Sequence, residues 1–421
     1  MSKQEETIVA ESSQPQRVIE VRRSILEPPA PPLRPIRIRR LSDYGGLPAA
    51  YRHVARKYSS PLLMGPPVCD ELMALVQHLY TEEEAAVVRH LGMIRGRTAA
   101  QVARAEHRPV DEVLPILERL ANEKQCIVSS GSGVKRRYHL MPIVPGTFEM
   151  VLIRCTPETL SDWHRRFIEL FEALFATGYS MQYAGATPPV VRYLPVGRAI
   201  ETHPMALPTD RLEDVLERFE WFGVGQCQCR LAAQSEGHGC GKPLGNCAVM
   251  GRWALTGIRR GWLRKVSKPE MLDIKREAEA HGMVNWMMNV QASGGQSSCS
   301  CCGCCCHLMR VVAEFSAPGL FAPPHFRPQR DPSRCNCCGR CAAGCPMKAI
   351  VTDAGAKTFQ YLPQRCVGCG LCALACERRR ALSLEPVPDY QLPYKSWFSL
   401  AMRSVPGMLR TSWNVWRSRR Q

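Results

Sequence analysis

Apolar residues recur every three or four positions in the first third of the chain, and this spacing predicts amphipathic helices. Thr81 and Glu84 form a capping box before the first of them, and Thr98 is the expected start of the second. A third helix is predicted over residues 110–124. The segment 127–140 then carries two β-rich runs around a Gly-Ser turn, which predicts a β-hairpin.

This order of three helices and a hairpin resembles a winged helix-turn-helix domain, over residues 61–145. When such a fold binds DNA, its third helix must tolerate phosphate groups. Here that helix is acidic, and only the hairpin, at residues 135–137, is basic. Since acids repel the DNA backbone, the expected role is docking or scaffolding, and nucleic acid is not the expected partner. The acids of this helix are Asp111, Glu112, Glu118 and Glu123.

The middle of the chain combines helical and strand-like segments. Helices are predicted over residues 163–175 and 210–222, within a mixed α/β segment. A further helix begins at a capping box of Ser267 with Glu270 and stops at Gly282, and a strand-like run follows it.

The two ends of the chain differ from the rest. The first 60 residues are rich in proline and poor in periodic apolar positions, which predicts an extended basic arm. The tail 389–421 mixes aromatic residues with arginines, as an interfacial amphipathic helix does. Pro406 and Gly407 are expected to break it into two pieces. Peripheral membrane contact and packing on the body of the protein both fit this pattern.

The chain has 421 residues, which is enough length for several domains. Its formal net charge of +17 suits nucleic acid, an acidic partner surface or an anionic membrane. No stretch reaches about 18 uncharged apolar residues, and the N-terminus has no apolar signal core. We therefore expect a cytoplasmic protein, or one peripheral on the cytoplasmic membrane face. There is no G-x-G-x-x-G or G-x-x-x-x-G-K-[ST] sequence, so no nucleotide cofactor is predicted.

Cysteine is unusually frequent, with 22 residues. Thiols stay reduced in the cytoplasm, so clustered cysteines there indicate metal binding rather than disulfides. Cys69, Cys126 and Cys155 are isolated and are expected to be buried apolar residues. The other nineteen lie between Cys227 and Cys376.

Two cysteine runs near the C-terminus share the spacing C-x2-C-x2-C-x3-C, displaced by 31 residues, and a strand-like run follows each. This internal repeat resembles the bacterial two-cluster ferredoxin, over residues 327–388. The resemblance implies two [4Fe–4S] clusters, with the fourth cysteine of each run binding the other cluster. It assigns Cys335, Cys338, Cys341 and Cys376 to the first cluster and Cys366, Cys369, Cys372 and Cys345 to the second. A pair of structural zinc sites is the less favoured alternative.

Some features of this module depart from the ferredoxin pattern. Glu377 stands where many ferredoxins have a second proline, and Cys337 is a ninth thiol with no assigned role. Between Arg327 and Arg380 there are ten Lys and Arg against three acids. Such a surface is either simply solvated or a docking face for an acidic redox partner protein.

Ten more cysteines lie upstream, in the order C-x-C-R, G-C-x-x-P-x-x-x-C and C-x-C-C-x-C-C-C. This order resembles the N-terminal part of larger oxidoreductase proteins that carry a 4Fe–4S ferredoxin domain. A third iron–sulfur cluster is favoured, with a structural zinc ion as the alternative. The favoured set is Cys229, Cys240 and Cys247 with at least one of Cys301, Cys302 or Cys304 to Cys306. The candidate ligands are Cys227, Cys229, Cys240, Cys247, Cys301, Cys302, Cys304, Cys305 and Cys306.

These patterns predict an α+β multidomain protein, with a winged-helix-like N-terminal domain, a Cys-rich α/β middle domain and a ferredoxin-like two-cluster C-terminal module. The predicted segments are the Pro-rich arm 1–60, the winged-helix-like domain 61–145, the mixed α/β segment 146–225, the Cys-rich domain 226–326, the ferredoxin domain 327–388 and the basic amphipathic tail 389–421.

The expected function is an iron–sulfur electron-transfer subunit that relays single electrons to or from a larger oxidoreductase. No catalytic side-chain set is predicted, so a component of an oxidoreductase is favoured over a free-standing catalyst. Two alternatives stay open. One is a redox-sensing regulator that uses the winged-helix-like domain, and the other is a small-molecule reductase at an upstream cluster.

Overall fold

The computed structural model describes residues 20–22, 25–27, 36–183, 188–292, 294–315 and 321–419. Helices and strands alternate along these residues, which confirms the α+β class. The helices are α1 (Ala49–Tyr58), α2 (Asp70–Leu79), α3 (Glu82–Val88), α4 (Ala99–Glu106), α5 (Val110–Asn122), α6 (Phe148–Val151), α7 (Asp162–Phe175), α8 (Gly197–Ile200), α9 (Leu212–Leu216), α10 (Gln228–Ser235), α11 (Arg252–Arg259), α12 (Lys268–Ala280), α13 (His307–Phe315), α14 (Arg340–Ala343), α15 (Leu371–Ala375) and α16 (Trp397–Ser418).

The strands form small antiparallel sheets, ordered β3-β5-β4, β11-β8-β7-β9 and β12-β10-β6, together with two-stranded pairs. The strands are β1 (Glu20–Arg22), β2 (Ile25–Glu27), β3 (Arg97–Thr98), β4 (Val128–Ser130), β5 (Arg137–His139), β6 (Val191–Tyr193), β7 (Phe222–Gly225), β8 (Cys247–Gly251), β9 (Arg264–Val266), β10 (Val284–Met288), β11 (Gly295–Ser298), β12 (Ser300–Cys301), β13 (Phe326–Arg330), β14 (Ile350–Asp353), β15 (Thr358–Tyr361) and β16 (Leu382–Pro386).

The N-terminal body is a set of helices, α1 to α7, around one apolar core. Helix α1 lies against α2 and α3 and buries Val54, Ala55 and Tyr58. The extended arm predicted for residues 1–60 is therefore wrong for 49–58, because these apolar side chains sit at helical spacing and find a core to enter. Residues 1–19, 23–24 and 28–35 of that predicted arm lie outside the described residues.

The predicted helices and hairpin after residue 80 are confirmed. The Thr81 hydroxyl accepts from the Glu84 N–H at 3.2 Å, and the Glu84 carboxylate accepts from the Thr81 N–H at 2.9 Å, which completes the capping box. Thr98 caps α4 in the same way, with Gln101 as its partner. Strands β4 and β5 form the hairpin, and β3 adds to it through the pair Arg97 and Tyr138.

One predicted helix of the middle segment is wrong over half its length. Helix α9 ends at Leu216, and the chain enters strand β7 at Phe222. Phe222 pairs with Met250 of β8 and Val266 of β9, so β7 is a central strand of its sheet. Gly223 within this strand also weakens any helix here. Tertiary pairing thus overrides the helical spacing of the apolar residues.

Helix α12 begins as predicted, at Ser267, whose hydroxyl accepts from the Glu270 N–H at 3.3 Å. The reciprocal half of the capping box is replaced, because the Glu270 carboxylate pairs with Arg264 at 2.5 Å. Gly282, with φ +68°, follows the helix end, and the predicted strand after it is β10.

The C-terminal module shows its internal repeat in three dimensions. Strand β14 follows the first cysteine run and pairs with β15, while β16 follows the second run and pairs with β13. Helices α14 and α15 contact each other at equivalent places in the two halves. Both strand-like runs predicted after the cysteines are confirmed.

The tail forms one helix, α16, in which Pro406 is an interior residue, so the predicted break at Pro406 and Gly407 is wrong. A proline removes one backbone hydrogen bond but does not always end a helix. Arg419 holds the helix end to the N-terminal body through the carbonyl oxygens of Ser59, at 2.9 Å, and Gly65, at 2.7 Å. Among the described residues, no helix is both long and apolar enough to cross a membrane.

Candidate iron–sulfur and metal centres

The two cysteine runs of the C-terminal module fold in the same way. Gly339 and Gly370 precede α14 and α15, each with φ +78°, a conformation that a side chain disfavours. Each short helix then buries the third cysteine of its run, Cys341 in the first half and Cys372 in the second. The repeat in sequence is therefore a repeat in backbone conformation.

The fourth cysteine of the first run lies with the second run. A pocket of about 370 Å³, which includes open space at its mouth, is lined by Cys345 together with Cys366, Cys369 and Cys372. The rest of its lining is mostly apolar, with Met347, Ala349, Ile350 and Val367 among the residues. A pocket with thiols from both runs and an otherwise apolar lining suits a [4Fe–4S] cluster, whose ligands are thiolates.

Hydrogen bonds to sulfur are already in place around this pocket. The Ala349 N–H donates to the Cys345 Sγ at 3.2 Å, and the Gly368 N–H donates to the Cys366 Sγ at 3.4 Å. Donors of this kind stabilise thiolate ligands and tune the reduction potential of a bound cluster.

Burial works against free thiolates here. It raises the pKa of Cys369 well above the ordinary value, and the neighbouring Cys345 adds to this effect. Burial, with Cys366 and Cys345, also raises the pKa of Cys372 to about 12. These groups ionise readily only when a metal supplies positive charge, so metal binding is coupled to proton release.

Of the remaining ligands that the resemblance implies, Cys341 is buried, and Cys335 and Cys376 are half-buried. The Cys341 thiol lies close enough to Cys376 and Cys335 for electrostatic interaction, although burial is the main cause that raises the pKa of Cys341 to about 11. Cys338 is exposed. Cys337, the ninth thiol, is buried and accepts a hydrogen bond from Arg330 at 3.8 Å.

The upstream thiols fall into separate groups, and the tightest of them joins two loops. The four Sγ atoms of Cys240, Cys302, Cys304 and Cys305 all lie within 4.8 Å of one another. Cys240 lies in the loop between α10 and β8, and the other three lie in the turn between β12 and α13. We call these four residues the Cys240 group. The Sγ distance is 3.8 Å between Cys240 and Cys302 and 3.7 Å between Cys304 and Cys305.

A second group contains Cys227, Cys229, Cys301 and Cys306, which we call the Cys229 group. Its thiols form a chain of neighbours, in which Cys229 contacts both Cys227 and Cys306, and Cys301 contacts Cys306. Three of the four residues are buried. Among the described residues, the Cys240 group is the one set of three or more candidate ligands whose ligand atoms all lie within 4.8 Å of one another. The sulfur atoms of the Cys229 group are therefore spaced more widely.

The remaining two upstream thiols form a pair whose Sγ atoms lie 3.7 Å apart, Cys247 at the start of β8 and Cys299 directly after β11. Lys275 lies beside this pair, and burial lowers its pKa to about 8. Its Nζ donates to the Ser298 carbonyl oxygen at 2.7 Å and the Ser300 hydroxyl at 3.1 Å. The favoured set of Cys229, Cys240 and Cys247 is therefore not brought together, because the fold places each of them in a different group.

Some residues at these sites were missed by the sequence analysis. The His307 Nδ1 lies 3.2 Å from the Cys229 Sγ, and its Nε2 contacts the Glu172 carboxylate. Burial raises the pKa of Glu172, but His307 and Arg310 outweigh it and lower the pKa to about 2. Glu172 is 135 residues from His307 in sequence, so no local motif predicts their contact. The sequence gives one weak indication that Lys275 is buried. It lies four positions after Met271, on the buried face of the same helix.

The upstream thiols and the ferredoxin-like pocket share one interior. Cys301 and Cys306 belong to the same buried cluster as Cys369, with Cys345 and Cys366 packed against it. The segment after β6 also contacts the second cysteine run, because the Val196 N–H donates to the Cys369 carbonyl oxygen at 2.9 Å. The Cys229 group therefore adjoins the second cysteine run.

Comparison with known families supports the assignment of the module. A family model described as a 4Fe-4S dicluster domain matches residues 327–377, which is the segment that contains both cysteine runs. No curated protein and no solved structure matches the chain. The expected iron–sulfur module near the C-terminus is thus confirmed, and with the Cys-rich metal-binding site it supports an iron–sulfur electron-transfer role.

Proposed function

We propose that this protein is an electron-transfer component of a larger oxidoreductase system and holds two [4Fe–4S] clusters in its C-terminal module. The observation that carries the proposal is the pocket in which Cys345 joins Cys366, Cys369 and Cys372. This exchange of the fourth cysteine is the ligand pattern of two-cluster ferredoxins. Cys335, Cys338, Cys341 and Cys376 would hold the other cluster.

The protein's own groups have defined tasks in this proposal. A bound [4Fe–4S] cluster supplies one-electron chemistry that side chains cannot perform. The apolar lining of the pocket excludes water, and the N–H groups of Ala349 and Gly368 hold two of the thiolates. A dry, hydrogen-bonded site of this kind sets the reduction potential.

A third cluster is proposed in the Cys229 group. Its four thiols are mostly buried and adjoin the second cysteine run, which suits an extension of the electron path. Their wider spacing also suits a cluster, because each thiolate of a [4Fe–4S] centre binds a different iron atom. His307 would donate or accept a proton beside Cys229, held in place by Glu172.

An acidic redox partner is proposed to dock near the first cysteine run. Cys338 is exposed there, and the exposed Arg334 and Arg340 flank it. Positive side chains around the exposed thiol would steer an acidic surface towards the cluster. Arg378 to Arg380 extend the same positive character after the second run.

A nucleic-acid-binding role is the second candidate, since the order α3, β3, α4, α5, β4, β5 agrees with a winged-helix interpretation. The charges of this domain argue against it. Arg119 and Lys124 pair with Glu84, and Arg136 pairs with Glu118. Because acids neutralise these cations, we propose a docking role for the domain instead.

Iron counting tests the proposal on anaerobically purified full-length protein. Three clusters require about 12 iron atoms per chain and two require about 8, at four per cluster. The variant Cys306→Ser should lose about four of them, while the matched control Cys247→Ser keeps them all. If wild type holds about 8 and Cys306→Ser changes nothing, the third cluster is excluded. Protein without iron would exclude the entire proposal.

A further inference from the structure

We propose that the Cys240 group is a structural zinc site, separate from the iron–sulfur centres. The group has the size of a single-ion site. In a tetrahedral site with Zn–S bonds of about 2.3 Å, neighbouring sulfur atoms lie about 3.8 Å apart. The observed Sγ distances, 3.8 Å for Cys240 and Cys302 and 3.7 Å for Cys304 and Cys305, have this value.

The same measurement separates this group from the cluster ligands. A four-iron centre is larger than one ion, and its thiolates bind four different atoms, so they must stand farther apart. Within the described part of the chain, no three thiols of the ferredoxin-like module lie within 4.8 Å of one another, whereas all four of the Cys240 group do. The group is closed as well, since four protein ligands leave no open position, which is typical of a structural zinc site.

The surroundings supply the charge that such a site requires. Four thiolates and one Zn²⁺ carry a net charge of about −2. The guanidinium of Arg230 is buried beside Cys302 and donates from Nη1 to the Ser300 carbonyl oxygen at 2.8 Å. A second donor, Arg230 Nε, is buried with no hydrogen-bond partner among the described residues. A buried cation beside the thiols would stabilise a negatively charged centre.

The turn conformation allows the adjacent cysteines to share one metal. Neighbouring side chains diverge in most conformations, and here Cys302 and Cys305 pack in a different buried cluster from Cys301 and Cys306 of the Cys229 group. Cys304 and Cys305 are the exception, because the chain turns at 303–305 and brings both thiols to one side. Zinc would therefore fix this turn to the loop that carries Cys240.

Metal analysis of full-length protein tests the site. Zinc and iron are measured together after exhaustive dialysis, and we expect about one zinc per chain. X-ray absorption at the zinc edge should show four sulfur neighbours at about 2.3 Å. The variants Cys240→Ser and Cys304→Ser should lose the zinc and keep the wild-type iron content, and Cys247→Ser, the control from the same domain, should keep both.

The outcomes are distinguishable from those of the proposed function. If Cys240→Ser loses about four iron atoms and wild type holds no zinc, the group binds a cluster and the inference is wrong. If neither metal changes in either variant, the group binds no metal and the inference is equally wrong. Cys304 is exposed, so its variant remains informative if Cys240→Ser does not fold. The zinc count does not depend on whether the iron–sulfur centres carry electrons.

Discussion

Gly303 lies against Pro346 so closely that a Cβ atom at position 303 would stand 1.8 Å from the Pro346 carbonyl oxygen. Gly303 separates Cys302 from Cys304 in the proposed zinc site, and Pro346 follows Cys345 of the ferredoxin-like pocket. This contact therefore joins the two metal-binding regions directly. Only glycine allows the backbones to approach to this distance.

The variant Gly303→Ala should separate these two regions. The added methyl group cannot fit without a backbone shift, so we expect a lower unfolding temperature and faster proteolysis between residues 303 and 346. Gly245→Ala is the control, because a Cβ there meets nothing within 4 Å. Thermal unfolding and limited trypsin digestion measure the effect. Equal behaviour of the two variants would mean that the contact does not hold the regions together.

The variant Cys369→Ser should remove one cluster, since Cys369 lies in the middle of a three-thiol run and is buried in the pocket. We expect a loss of about four iron atoms per chain, with the N-terminal helices still folded by circular dichroism. Cys337→Ser is the matched control, because this thiol lies in the same module but outside both proposed ligand sets. Full iron retention by Cys369→Ser would refute the ligand assignment.

Glu172→Gln should destabilise the interface between α7 and α13. The pKa of Glu172 falls from 4.5 to about 2 in the folded protein, which corresponds to a contribution of about 3 kcal/mol at pH 7. Because the folded pKa is lowered, this stabilisation is complete above pH 4.5 and is lost as the pH falls towards 2. Urea unfolding of wild type and variant measures this contribution at pH 7, 5 and 3.5. The difference in unfolding free energy between the two proteins should be nearly the same at pH 7 and pH 5 and smaller at pH 3.5.

The control for this prediction is Glu169→Gln on the same helix. Glu169 pairs with Arg166 on the surface, where an ion pair contributes little to stability. We expect its unfolding free energy to stay within about 0.5 kcal/mol of the wild-type value. A pH-independent difference for Glu172→Gln would show that lost packing, and not its charge, is responsible.

Local signals in the sequence predicted local structure well. The capping box of Thr81 and Glu84, for example, marks a helix start with two hydrogen bonds that need no distant residue. The segment around Phe222 was predicted as helix and is a strand, because its partners, Met250 and Val266, are remote in sequence. Short-range periodicity carries no information about such pairing.

The same distinction applies to the sites. The spacing of the two C-terminal runs identified an iron–sulfur module, because most ligands of each cluster lie within one short stretch of sequence. The sequence marks the upstream thiols as candidate metal ligands, but it does not show which of them lie together. Cys301 and Cys302 are adjacent in sequence and belong to different groups, and only the meeting of β12 with distant loops decides which thiols each one joins.

The helix α16 presents an apolar stripe to solvent, and we propose that this stripe binds an anionic lipid surface. Phe398 is 74% exposed and Trp413 is 61% exposed, and both side chains lie on the same face of the helix. The opposite face is buried through Leu400 and Val415. A second row, spaced by seven residues, carries arginines that would contact lipid phosphates. The stripe is Phe398, Met402, Val405, Leu409, Trp413 and Trp416, and the row is Arg403, Arg410 and Arg417.

The variant Leu409→Glu tests this proposal without removing the helix, whose end Arg419 anchors to the N-terminal body. A charge in the centre of the stripe should abolish flotation with vesicles that contain phosphatidylserine, since a buried carboxylate is costly in the lipid interface. Val134→Glu is the control, because Val134 is 94% exposed on the hairpin and far from the stripe in sequence. We expect wild type and Val134→Glu to float to the same extent. Both should float less at high salt, because salt screens the arginines. Equal flotation of Leu409→Glu, or binding to neutral vesicles at the same level, would exclude an anionic lipid surface as the partner of α16.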